Sequence, residues 1–102
     1  MSYTKGQMVF EKDYKWTAES DKDNPNYRHG KDREELNRSE GYEMRDFIND
    51  LAEEWNWVNP PIVSYQNLEK IIKNRVPHDI HKHELIKKWI EDNFKGIKNQ
   101  VF

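Results

Sequence analysis

The sequence predicts a mostly α-helical fold: a compact three-helix unit over about residues 37–95, preceded by a strand-like N-terminal arm and a polar connector. Three observations carry that reading. Met44, Phe47, Ile48, Leu51 and Trp55 recur at the spacing of one helical face, two further apolar stripes follow it, and Pro60-Pro61 and Pro77 separate the three. The domain boundaries that follow are 1–18 for the arm, 19–36 for the connector and 37–102 for the helical domain.

The first helix is expected to start after Asn37, whose side chain can cap the first free amides while Glu40 reaches back from three residues on. Gly41 weakens that turn by about 1 kcal/mol relative to Ala. The helix should end by Asn56, because Trp57-Val58-Asn59 leads into two prolines. Ser64 is the expected cap of the second helix, with Tyr65, Leu68, Ile71, Ile72 and Val76 on its apolar side and Pro77 as its stop. The third should open around His81, carry Leu85, Ile86, Trp89, Ile90 and Phe94, and terminate at Gly96.

Upstream, Met8, Phe10, Tyr14 and Trp16 share one parity while Glu11, Asp13 and Lys15 take the other, which suits a half-buried strand. Such a strand needs a partner: residues 61–64, Val101-Phe102 or a second copy of the chain; alternatively the aromatics drape over the helices. Residues 1–7 carry no periodic apolar content and are expected to be dispensable for folding. From Glu19 to Arg38 the chain is almost wholly polar, with Asn24-Pro25-Asn26 and His29-Gly30 as turn signals.

Composition sets the bounds. The chain has 102 residues, enough for one domain with a modest core. Leu, Ile, Val and Phe total only 21, close to the level of about 20% at which disorder sets in, yet the net charge is just −2 and four Trp with five Tyr can fill a small core. There is no cysteine, hence no disulfide and no thiolate ligand. No apolar leader and no run of 18 apolar residues occurs, so a cytoplasmic protein without membrane contact is expected.

Three constellations bear on function. Glu43, Asp46, Asp50, Glu53 and Glu54 project onto one flank of the first helix, which either steers a basic protein partner or is a solvated face neutralised by the bases of the second and third helices. Trp16 and Trp57 stand at segment edges, and with Tyr14 they either form a half-exposed contact patch or, in a chain this poor in aliphatic residues, pack in the core or at its edge, whereas Trp55 and Trp89 belong to apolar faces. Lys70, Lys73, Lys82, Lys87 and Lys88 give the second and third helices a basic surface that a phosphate backbone would fit.

The run from Pro77 to Glu84 holds His78, His81 and His83, but His81 and His83 on one helix would point about 200° apart. His78-Asp79 resembles the HD pair of metal-dependent phosphohydrolases in two residues only, without the further His and Asp ligands, so neither metal nor other cofactor is expected. No nucleophile elbow and no phosphate-binding glycine loop is present, and no catalytic residue is assigned. The reading is a non-enzymatic interaction protein, monomer or homodimer, with an unidentified protein partner. Nucleic-acid binding is the alternative and metal-dependent hydrolysis a third. Lys outnumbers Arg 12 to 5, a bias that suits a phage or mobile-element accessory protein.

Overall fold

Three helices fold against one another in the computed structural model, which describes residues 3–16 and 35–102: α1 (Gly41–Glu54), α2 (Ile62–Asn74) and α3 (His83–Asn93). The expected fold class holds. Met44, Ile48 and Leu51 of α1, Leu68 and Ile72 of α2, and Ile86 and Ile90 of α3 are wholly buried, so each stripe legible in the sequence faces the shared core. Among the described residues no helix is long and apolar enough to cross a membrane.

The helix ends show how local chemistry sets the boundaries. Glu40 rather than Asn37 is the N-cap of α1, and its carboxylate accepts from the Tyr42 amide at 3.2 Å. Asn37 acts one step earlier, accepting from the Ser39 amide at 2.9 Å in the turn that feeds the helix. At the other end Asn56 adopts a left-handed conformation with φ 58°. The Asn56 amide donates to the Glu53 carbonyl at 3.0 Å and the Trp57 amide to Ala52 at 2.9 Å, the two bonds of a Schellman cap. That cap turns Trp57 inward, where it is buried and donates its indole N–H to the Ile97 carbonyl at 2.9 Å.

Several expectations shift. α2 begins at Ile62, two residues before Ser64, because Pro61 pre-sets the entry and Ser64 uses its hydroxyl on Gln100 instead, at 2.8 Å. α3 begins at His83 and closes at Asn93, with Phe94 at its C-cap, so Gly96 lies beyond its end. Leu85, expected in the core, is 48% exposed, and Trp89 is half-buried.

The described part of the arm, residues 3–16, lies on the helices. The described residues contain no strand: Lys5–Gln7 and Glu11–Asp13 are 3-10 turns, and Lys15 makes a single parallel bridge to Glu40. The alternation still marks the inward side, with Met8 and Tyr14 buried and Phe10 and Trp16 half-buried while Asp13 and Lys15 are exposed, but the described residues drape over the helices and meet no sheet edge. The arm buries Tyr3, Met8 and Tyr14 in the same core as the helices. Tyr3 lies inside residues 1–7, so that stretch is not inert: its ring stacks on Tyr65 at 5.1 Å and its backbone exchanges two hydrogen bonds with Asn49. Leu36, assigned by sequence to the connector, is also core, and its amide donates to the His81 carbonyl at 2.8 Å. Residues 19–34 of the connector, and 17–18 at the end of the arm, lie outside the described residues.

Candidate functional site

Glu69 on α2 is wholly buried, in the apolar stripe between Leu68 and Ile72. Among the described residues four donors reach its carboxylate, all from the arm. The Tyr3 and Tyr14 hydroxyls donate at 2.6 Å each, and the amides of Val9 and Phe10 at 2.9 and 3.1 Å. A buried carboxylate is tolerated only when so fully bonded, and here one side chain satisfies the backbone of a turn as well as two phenols. Burial first, and the Glu69 hydrogen bond second, push both phenols well above their ordinary value.

Arg38 plays the complementary part for carbonyls. Its guanidinium donates to the oxygens of Val76 and Pro77 at 2.9 Å, to Ile72 at 3.3 Å and to Ile80, closing the C-terminus of α2 and the turn after it. Sequence reasoning missed both residues. Glu69 had a signal, since it interrupts an apolar stripe four residues after Tyr65; Arg38 had none beyond its place ahead of a helix.

The acidic flank of α1 does not survive as one surface. Glu43 is buried and accepts from the Asn37 amide at 3.1 Å, while Asp46 holds Arg45 at 3.1 Å. Asp50 is half-buried. Glu53 and Glu54 are exposed at the last turn, and Glu54 accepts from Lys87 at 2.9 Å, a bond that holds the lysine above its ordinary pKa.

The aromatics separate likewise. Tyr14 and Trp57 are buried, and Trp16 is half-buried, with its indole N–H on the Glu11 carbonyl and its ring edge-on to Tyr42. Tyr14 and Trp16 meet at 5.7 Å, whereas Trp57 packs with Trp55, Tyr65 and Phe102.

Of the five lysines, Lys70, Lys82 and Lys88 are exposed. Lys73 is half-buried, bonded to the Arg38 carbonyl at 3.3 Å and lying over the Tyr14 ring, and Lys87 is engaged by Glu54. His78 and His81 are exposed, while His83 packs on Phe47 at 4.7 Å. Among the described residues no three His, Asp or Glu side chains group as metal ligands.

One surface was not anticipated. Val58, Ile62, Val63, Val101 and Phe102 are all exposed. The Ser64–Gln100 hydrogen bond and the Trp57–Phe102 contact at 6.0 Å bring the α1–α2 connection, the start of α2 and residues 101–102 to the same end of the molecule. Glu53 and Glu54 stand just ahead of that connection.

Comparison with protein-family models, with curated proteins and with solved structures gives no match.

Proposed function

We propose that this chain is a small non-enzymatic interaction protein that presents its apolar end to a partner protein whose own apolar contact surface is rimmed by basic residues. The observation that carries this reading is the exposure of Val58, Val63, Val101 and Phe102, at 78, 55, 60 and 42%, on segments that the Trp57–Phe102 and Ser64–Gln100 contacts bring to one end of a chain with few aliphatic residues to leave in water. Glu53 and Glu54 are the exposed remainder of the flank that the sequence assigns to partner steering, and with Glu54 engaged by Lys87 it is Glu53 in the adjoining turn that supplies the acidic rim. An accessory protein of a phage or mobile element fits the Lys-rich composition.

The test is capture from lysate on three forms of the full chain: wild type, Val58→Ser/Val63→Ser and Glu53→Gln/Glu54→Gln. One defined protein should be retained after nuclease treatment and lost with the valine pair, and the glutamine pair should slow its association and reduce its salt dependence. Retention that nuclease abolishes, and that Lys70→Gln/Lys82→Gln/Lys88→Gln also removes, would replace this reading with nucleic-acid binding.

A further inference from the structure

Three sets of contacts hold the arm on the helices. Tyr3 is bonded to Asn49 at one end. Lys15 exchanges backbone bonds with Ser39 and Gly41 at the other, each 2.8 Å. Between them, four donors converge on Glu69, and Gln66 adds a bond to the Gln7 carbonyl at 3.0 Å. Among the described residues the donors to the Glu69 carboxylate all come from the arm, so one side chain, with Gln66 beside it, carries most of the bonds at the centre of the attachment.

The two sides of this contact differ in internal strength. The helices carry continuous backbone hydrogen bonding and supply most of the wholly buried side chains. The arm contributes three buried side chains and has only isolated 3-10 bonds of its own. Segments with few buried contacts and little internal bonding open at lower free energy than the core they cover.

We propose that residues 3–16 form a strap that opens as a unit ahead of global unfolding, with Glu69 as its latch. Opening uncovers the Tyr65 ring and the Glu69 carboxylate together, an apolar wall beside an acceptor that only a donor-bearing segment can satisfy.

Native-state hydrogen exchange on the full chain, in low denaturant, tests this. The Val9 and Phe10 amides, which bond Glu69, should exchange at least tenfold faster than the helical amides of Ile72 and Ile90 and depend less on denaturant. Ile90→Val weakens the helical unit in the open and closed states alike. It should speed Ile72 and Ile90 exchange about two- to tenfold and leave Val9 and Phe10 unchanged. Tyr14→Phe removes a latch bond and should speed Val9 and Phe10 at least tenfold. Equal rates and denaturant slopes at all four amides, with Ile90→Val accelerating them together, would overturn the strap; unchanged Val9 and Phe10 exchange in Tyr14→Phe would overturn the latch.

Discussion

The Tyr14 hydroxyl donates to Glu69 Oε2 at 2.6 Å across 55 residues of sequence, and the Tyr3 hydroxyl reaches Oε1 of the same carboxylate at the same distance. These two bonds make the arm and the second helix parts of one core. They also give the fold a pH dependence at the alkaline end.

Tyr3 and Tyr14 stay protonated in the folded chain well above about 10, where they ionise once unfolded; burial is the first cause and Glu69 the second, and burial raises Tyr65 as well. Past that pH the unfolded state releases protons that the folded state keeps. Stability should therefore be undiminished by these groups below pH 10 and fall as pH rises above it. Urea melts from pH 8 to 11 check this, and Tyr3→Phe/Tyr14→Phe should show a shallower decline.

Deleting residues 1–7 should lower the melting temperature clearly, because it removes the stacked Tyr3 ring and one of the four donors to Glu69. Burial of one aromatic side chain contributes about 1.5–3 kcal/mol, a large part of a small domain's stability. Thermal melts of the truncated and full chains give the answer.

Gly41→Ala should destabilise, although alanine is the better helix former by about 1 kcal/mol. A Cβ at position 41 would lie 2.5 Å from the Trp16 ring, so the ring or the helix start has to move, and overpacking of this kind costs about 1–3 kcal/mol. In a Trp16→Ala background the same substitution should become neutral or stabilising. Denaturant melts of the four chains decide it.

Arg38→Lys keeps the charge but gives up the planar fork that reaches four carbonyls. A loss of about 1–3 kcal/mol is expected from carbonyls left without a donor at the end of α2. Equilibrium unfolding measures it, with Arg75→Lys, on an exposed residue at the same helix end, as the control.

How much was legible follows from these cases. The three helices were readable because Met44 to Trp55, Tyr65 to Val76 and Ile86 to Ile90 repeat at helical spacing, and Pro60, Pro61 and Pro77 interrupt them. Caps were less so: Glu40 took the role expected of Asn37, and Ser64 was drawn to Gln100, because a cap depends on a turn that the sequence does not specify. The arm was legible in part, since the parity of Met8, Phe10, Tyr14 and Trp16 marks the side that packs on the helices. Its alternation suits a strand as well as a draped segment, but what seats it is a glutamate 55 residues or more further along the chain, and no local pattern announces a pairing of that range. Of the candidate site residues, Glu53, Glu54, Lys70, Lys82 and Lys88 lie exposed, while Tyr14, Trp57 and Glu43 went into the fold because so few aliphatic residues are available to fill it.

The most direct measurement is a double-mutant cycle on Tyr14→Phe and Glu69→Gln, read by denaturant unfolding. If the buried carboxylate holds the arm on the helical unit through its charged hydrogen bonds, each single change should destabilise, and the two should couple by at least about 1 kcal/mol, because either one removes the same bond. Losses that add to within about 0.3–0.5 kcal/mol would mean that the two side chains do not act on each other and that the arm is held by something else.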